Sequence, residues 1–197
     1  MGTQKFANPA PLGLLGFGLT TVLLNLHNAG LFQLDTMILS MGLAYGGLAQ
    51  IITGLMEFRR GNTFGTVVFT SYGLFWWSLI MLTLLPQTTI FAGLQSPSPI
   101  SMGAYFLLWG IFTLAMGYGT LKASKTLQIV FATTIILFFM LSITSFTDNP
   151  ILFGNFTLTN LTGIEGVICG SSAIYYAIAL VLNEVHEKII LPTDPLE

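Results

Sequence analysis

The stretch Leu127–Phe146 reads LQIVFATTIILFFMLSITSF and contains no charged residue. A helix of about 20 residues is long enough to cross a hydrocarbon core of roughly 30 Å. The whole chain is 53% hydrophobic and 7% charged, whereas a soluble domain has about 25% charged residues. Because so few charges cannot cover a surface that faces water, Leu127–Phe146 is predicted to span a membrane.

Five other apolar segments of similar length occur along the 197 residues. Together with the first they give six predicted spans, near residues 12–28, 36–58, 64–85, 100–121, 127–146 and 161–182. The residues outside the spans are too few to build a soluble core. The sequence therefore predicts a single integral membrane domain over residues 1–197, all-α, with six transmembrane helices. Two three-helix halves of opposite orientation would fit this count, as in many transporters, although no residue-level repeat supports that symmetry.

The basic residues predict the orientation of the spans. The chain has six of them, which are Lys5, Arg59, Arg60, Lys122, Lys125 and Lys188. They lie before span one, between spans two and three, between spans four and five, and after span six, and the other three connections contain none. Because cytoplasmic loops carry the excess of Lys and Arg, we expect a multi-pass protein of the inner (cytoplasmic) membrane with both termini in the cytoplasm.

Several function classes find no support in the sequence. The net charge of -2 and the lack of a basic stretch argue against nucleic-acid binding. The two histidines, His27 and His186, are predicted on opposite sides of the membrane, so they do not suggest a metal site. Cys169 lies in an apolar run and is interpreted as a small buried hydrophobe. With no nucleophile-and-base pair, we expect neither an enzyme nor a cofactor nor a metal.

Polar side chains inside the spans are better candidates for function, because they are costly in lipid and usually face a partner or a watery path. Threonines such as Thr20 can bond to a carbonyl of the preceding turn. Asn25 and Gln50 do so less readily, and they are the stronger pathway candidates. His27, near the end of span one, is expected to make a hydrogen bond there.

The two acidic residues of the spans have structural interpretations. Glu165 follows Thr162 by three residues, which predicts a capping box at the start of span six. Glu57 precedes Arg59 and Arg60, so an ion pair at the interface is expected rather than a proton relay.

Small residues recur at the spacing that lets helices approach closely. They are Gly42 and Gly46 in span two, Gly103, Gly110 and Gly117 in span four, and Gly166 and Gly170 in span six. We interpret these glycines as packing sites within one protomer, with a subunit interface as the alternative.

The segment Asn8–Leu14 reads NPAPLGL, which resembles the signature of the acetate uptake transporter family, whose bacterial members include succinate–acetate permeases. Further family-like motifs follow in order along almost the whole chain, at Gly16–Gly18, Leu23–Asn28, Gly61–Gly65, Thr70–Gly73, Gly119–Lys122, Ile168–Gly170 and Leu182–Glu184. The resemblance implies a six-helix protomer in a homo-hexameric ring. Each protomer would have its own path for small monocarboxylates such as acetate and, in some members, succinate.

A substrate vestibule at the start of span one fits this resemblance. Asn8 is expected to cap the helix, and Pro9 stands near its first turn, where a missing N–H costs little. The positive end of the helix dipole would favour a carboxylate there. The complete predicted pathway comprises Asn8, Pro9, Leu12, Gly13, Thr20, Asn25, Gln50, Tyr72 and Ala173.

The resemblance also implies a hydrophobic gate midway along the path. It is formed by a phenylalanine of span one, a tyrosine of span three and an aliphatic residue of span five, which correspond to Phe17, Tyr72 and Thr134. Many bacterial members have leucine at the third position. The threonine is therefore expected to affect the width and dryness of the gate, and with them the range of substrates.

Two classes of function remain. The first is uptake of small carboxylates by a passive channel or a proton-coupled carrier, which the sequence does not distinguish because no acidic residue stands clearly in the middle of a span. The second is a pore for another small solute, or a membrane scaffold that transports nothing. The expected partners are a small carboxylate, membrane lipid and further copies of the chain.

Overall fold

The computed structural model describes residues 7–89 and 93–193, so Lys5 lies outside the described residues. Within them are six helices that are long and apolar enough to cross a membrane, which confirms the predicted all-α fold class. They are α1 Ala10–Asn28, α2 Thr36–Arg59, α3 Thr63–Leu84, α4 Pro99–Gly119, α5 Lys125–Phe146 and α6 Leu158–Val185. A hairpin of two short antiparallel strands, β1 Ile151–Phe153 and β2 Phe156–Thr157, joins α5 to α6. The arrangement in two inverted halves stays a prediction.

Side-chain oxygens bind the free N–H groups at the start of most helices, which is why the helices begin where they do. Asp35, Asn62, Ser98 and Ser124 cap α2, α3, α4 and α5 in this way. At α6 the capping box is formed by Thr157 and Asn160, not by Thr162 and Glu165, so that prediction was wrong. The helix starts earlier than predicted because the strand β2 delivers Thr157 directly to the cap position.

The start of α1 is closely tied to the end of α2. Pro9 occupies the cap position, and Asn8, which precedes it, accepts a hydrogen bond from the Ala10 N–H at 3.2 Å through its side-chain oxygen. The same oxygen accepts a second bond from the Arg60 guanidinium at 2.9 Å. Asn8 therefore satisfies a free N–H of the first turn, but it is not the N-cap residue that was expected, because Pro9 occupies that position.

Glycines permit the closest helix contacts, as their spacing predicted. The contacts between α1 and α6 are the most extensive in the bundle, and a Cβ placed on Gly18 would lie 2.7 Å from the Gly170 carbonyl oxygen. Gly166 packs directly against the Asn25 side chain. In α4, Gly103 faces Phe146 of α5. The interpretation of these glycines as packing sites within one protomer is confirmed.

The helix α2 changes its winding in the middle. From Gly42 to Ala49 it is π-helical, with the wider i to i+5 hydrogen bonds, and it returns to α-helix at Gln50. This wider segment lies against α1, where a Cβ on Gly16 would meet the Tyr45 carbonyl oxygen at 2.6 Å. The sequence did not predict the change. Single π turns within α-helices often occur at functional sites.

Candidate functional site

A cavity of about 300 Å³ lies within the bundle, at the end that carries the β-hairpin. We call this end the hairpin face, and the opposite end, where α1 begins and α6 finishes, the termini face. His27, Asn28 and Thr159 line the cavity near the hairpin face, and Phe17 and Thr134 line its deeper part. Most of the remaining lining is apolar, from Leu24, Ile38, Phe75, Trp76, Leu137 and Phe138. We call this cavity of about 300 Å³ the large cavity.

A second cavity of about 30 Å³, the small cavity, lies on the other side of Phe17 and Thr134. This volume is close to that occupied by one water molecule. Gln50, Tyr72 and Phe69 contribute to its lining. Because Phe17 and Thr134 line both cavities, they stand at the boundary between the two.

The three residues assigned to a gate lie together at this boundary. The rings of Phe17 and Tyr72 are 6.0 Å apart between centroids, and Tyr72 also stacks on Phe138 at 6.4 Å. The Tyr72 hydroxyl donates to the Thr113 hydroxyl of α4 at 2.9 Å. The Thr134 hydroxyl donates to a backbone carbonyl of its own helix. Both hydroxyl hydrogens thus have protein acceptors, so neither hydroxyl has a free hydrogen to donate to a ligand.

The predicted pathway residues divide into two groups. Asn25 lines the large cavity, and Gln50 and Tyr72 line the small one. The others line neither cavity, and they are Asn8, Pro9, Leu12, Gly13, Thr20 and Ala173. Among these, Gly13 packs against Phe69, and Ala173 is fully buried in the same apolar cluster as Phe17. For these six residues a place on the pathway stays a prediction.

Asn25 and Gln50 differ in how their amides are satisfied. Asn25 donates to the Thr21 carbonyl at 2.9 Å and accepts from the Asn28 side chain at 3.0 Å. Gln50 is 1% exposed, and its side-chain oxygen has no hydrogen-bond partner among residues 7–89 and 93–193. A buried acceptor without a partner costs about 1–3 kcal/mol. Gln50 is therefore the better candidate for contact with a ligand.

Two further cavity residues were not identified from the sequence. The Thr21 hydroxyl and the Trp76 indole nitrogen both belong to residues that line the large cavity, and neither has a hydrogen-bond partner in the described part of the chain. Trp76 shares a helical stripe with Phe69 and Tyr72, which was the available signal. Periodicity alone did not distinguish this indole from an ordinary core residue.

The acidic residue of α2 makes the predicted ion pair. Glu57 is 1% exposed and lies 3.6 Å from the Arg60 guanidinium. Its second carboxylate oxygen accepts a hydrogen bond from the Asn62 amide at 2.9 Å. The interpretation as an ion pair is confirmed for Arg60, whereas Arg59 forms no ion pair within the described ranges. This network joins α1, α2 and α3 at the termini face.

Glu165 has a different environment from the one its spacing predicted. It lies about two turns inside α6, and both of its carboxylate oxygens are buried without a hydrogen-bond partner among the residues described. It lines neither cavity. The structure thus places an unpaired acidic group inside a span, which the capping interpretation had missed.

His27 makes the hydrogen bond expected of it, with Nδ1 2.9 Å from the Phe32 carbonyl oxygen. No cluster of His, Cys, Asp or Glu side chains suited to hold a metal ion occurs in the described parts of the chain. The candidate site is therefore described by the large cavity, the small cavity and the boundary between them at Phe17, Tyr72 and Thr134.

The chain is similar to known membrane transport proteins over almost its full length. The sequence model of the GPR1/FUN34/yaaH family matches residues 1–197. The succinate-acetate/proton symporter SatP of Escherichia coli K12 is 49% identical over 192 residues, which cover 98% of this chain and 97% of that protein. A protein of Methanothermobacter thermautotrophicus is 50% identical over 195 residues, covering 97% and 93% of the two chains. The solved structure of the bacterial acetate channel SatP superposes with a TM-score of 0.89 at 48% identity, covering 96% of this chain and 99% of that one.

Proposed function

Because the chain belongs to the GPR1/FUN34/yaaH family, we propose that it carries acetate and other small carboxylates across a membrane, through a path inside each protomer. The relatives named as a succinate-acetate/proton symporter and an acetate channel support this substrate class. The observation that carries the proposal is that Phe17 and Thr134 line both cavities. A ligand that moves from one cavity to the other passes these two side chains.

The sizes of the cavities suit a small substrate and a closed path. Ligand pockets usually measure about 300–1,000 Å³, and the large cavity, at about 300 Å³, is at the lower limit of that range. The small cavity has room for about one water molecule. Passage therefore requires a movement at the boundary, for which the Phe17 ring is the natural element because it lies between the two spaces.

The charge of the lining favours an uncharged or only partly dehydrated substrate. Among residues 7–89 and 93–193, no Lys or Arg lines either cavity. A bare carboxylate in this apolar boundary would lose its hydration without an opposite charge to replace it. A carboxylic acid has a hydroxyl to donate. Gln50 lines the small cavity, and its side-chain oxygen, which has no hydrogen-bond partner among the described residues, is the acceptor that we propose for it.

We propose further that the protein is a single membrane domain, with the orientation that the basic residues predict. The termini face is then cytoplasmic and the large cavity opens to the outside of the cytoplasmic membrane. Large apolar side chains such as Leu108, Leu114 and Tyr118 remain exposed on α4. They are suited to contact with lipid or with neighbouring copies in the proposed homo-hexamer.

Uptake of radiolabelled acetate by proteoliposomes tests the function, with protein-free vesicles as the background. We expect acetate uptake above that background. Uptake that depends on an imposed proton gradient indicates a proton-coupled carrier, and uptake that does not depend on it indicates a channel. Phe17→Ala should alter the uptake, whereas Leu19→Ala, on the more exposed side of the same helix, should not. Wild-type uptake equal to the background would favour a scaffold and overturn the proposal.

A further inference from the structure

His27 is the one titratable side chain among the described residues that line the large cavity. The rest of that lining consists of aliphatic, aromatic, hydroxyl and amide side chains. Imidazole is also the side chain that normally changes its charge between about pH 5 and 8. Within the described lining, His27 is therefore the side chain that can give a proton to a substrate or take one from it. His27 lies near the hairpin face.

The hydrogen bond to the loop determines which ring nitrogen is available. A carbonyl oxygen can only accept, so the Nδ1 atom that lies 2.9 Å from the Phe32 oxygen must carry a hydrogen. The other nitrogen, Nε2, has no protein hydrogen-bond partner in the part of the chain that the structure describes. Neutral His27 thus offers a free acceptor at Nε2, and charged His27 offers a free N–H donor at the same position.

The charged groups around His27 are few. In the following loop, Asp35 uses its carboxylate to cap α2 through the N–H groups of Met37 and Ile38. On α6, which packs against this part of α1, the acidic residue is Glu165. The residues that α2, α3 and α5 contribute to the cavity are uncharged, and Asp148 follows the end of α5. None of these carboxylates is hydrogen-bonded to His27 in the described structure.

We propose that His27 receives the carboxylate at the mouth of the large cavity and transfers a proton to it. Charged His27 donates its Nε2–H to a carboxylate oxygen; the N–H bond then breaks as the O–H bond forms. This leaves neutral imidazole and a neutral carboxylic acid. Two neutral partners are favoured over an ion pair in an apolar space, so the acid proceeds towards the gate. His27 takes up its next proton from water at the mouth.

This inference rests on the proposed function and deepens it. It explains how an anion that is abundant at neutral pH can enter a path whose described lining contains no Lys or Arg. It also gives the path a direction of proton movement, because the proton and the carboxylate enter together from the hairpin face.

Nuclear magnetic resonance of the protein with isotope-labelled histidine tests the chemistry directly. The chain has two histidines, so His27→Asn and His186→Asn assign both sets of signals. We expect the hydrogen of neutral His27 on Nδ1, and a shift of its Nε2 resonance when sodium acetate is added, but not when sodium chloride is added. His186 should not respond to acetate. A hydrogen on Nε2 in the neutral form, or an Nε2 signal that acetate leaves unchanged, would overturn the proposal.

A transport measurement tests the consequence. His27→Asn retains an amide that can donate to the Phe32 carbonyl, but it has no proton to transfer, and His186→Asn is the matched control. At about pH 6 we expect acetate influx through His27→Asn to be lower than through the wild type, on the order of tenfold. This is the change in affinity expected when a charge-assisted hydrogen bond is replaced by a neutral one. At fixed total acetate and at pH values well above the pKa of acetic acid, influx through the variant should stay proportional to the concentration of undissociated acid, whereas wild-type influx should exceed that proportion.

The outcomes separate the two proposals. If the wild type shows no uptake above protein-free vesicles, the proposed function fails. If the wild type takes up acetate and His27→Asn has the same rate and the same pH profile, the function stands and the role of His27 is overturned.

Discussion

The Thr134 hydroxyl of α5 lies 3.3 Å from the Cys169 thiol of α6 and donates to the Val130 carbonyl at 2.6 Å. Thr134 is 3% exposed and Cys169 is fully buried. The hydroxyl at the boundary between the cavities is therefore held by partners on its own helix and on the next. We expect this threonine to behave in the gate as a small residue rather than as a binding group.

Two substitutions of Thr134 separate its size from its polarity. Thr134→Leu adds volume beside a cavity of only about 30 Å³, so it should lower uptake of larger acids such as succinate more than uptake of acetate. Thr134→Val keeps the size and removes the hydroxyl, and the succinate-to-acetate uptake ratio should stay close to that of the wild type. The ratio is measured by competition in proteoliposomes. If Thr134→Val changed the succinate-to-acetate ratio as strongly as Thr134→Leu, the hydroxyl itself would be shown to select between the two acids.

Removal of the Phe17 ring should join the two cavities. Phe17→Ala opens a hydrophobic constriction to water, so we expect faster acetate flux and a measurable leak of larger neutral solutes such as glycerol. Large-to-small core changes cost about 3–5 kcal/mol for phenylalanine, so size-exclusion chromatography must first show a folded protein. Leu19→Ala is the control. A folded Phe17→Ala variant with unaltered selectivity would mean that Phe17 is only a packing residue.

Substitution of Gln50 distinguishes a role in ligand binding from a role in stabilising the fold. Gln50→Met keeps the length of the side chain and removes the buried oxygen, for which the described residues provide no hydrogen-bond partner. Because an unsatisfied buried acceptor costs about 1–3 kcal/mol, the unfolding temperature should stay constant or rise while acetate flux falls. A variant that loses stability and flux together would indicate that the Gln50 amide supports the fold instead.

Asn62 should be important for stability at the termini face. Its oxygen accepts from the Gly65 N–H at 3.0 Å and caps α3, and its amide donates to the buried Glu57 carboxylate. Asn62→Ala removes both bonds, and we expect a loss of about 1–3 kcal/mol, seen as a lower unfolding temperature in detergent. Asn155→Ala, in the exposed turn of the hairpin, is the control and should unfold like the wild type.

The orientation of the chain can be measured by cysteine labelling in intact cells. Ser96→Cys lies in the connection between α3 and α4 and should react with a membrane-impermeant reagent from outside. Ala123→Cys lies between α4 and α5, beside the basic residues, and should react only after the membrane is opened. Cys169 is fully buried and supplies little background. The reverse labelling pattern would invert the proposed topology.

The sequence by itself determined the number of helices and their approximate limits. Hydrophobic length and the scarcity of charge act locally, since each span must satisfy its own backbone and cover its own surface in lipid. The glycine spacing also predicted close packing, because a helix face without side chains lets any neighbouring helix approach closely. The family-like motifs directed attention to Phe17, Tyr72 and Thr134 before the structure placed them together.

The tertiary structure alone decided which polar groups are free. In the sequence, the hydroxyls of Tyr72, Thr134 and Thr21 cannot be told apart by their availability. In the structure, the Tyr72 hydroxyl bonds to α4 and the Thr134 hydroxyl bonds within α5, whereas the Thr21 hydroxyl has no partner among the described residues. The same holds for the two acidic residues of the spans: Glu57 is paired with Arg60, and Glu165 has no partner in the described parts of the chain. Hydrogen bonds between helices join residues far apart in the chain, and a local pattern carries no information about a distant partner. For that reason the composition predicted a membrane bundle, whereas only the packed helices revealed two cavities with His27 near one face and Phe17 between them.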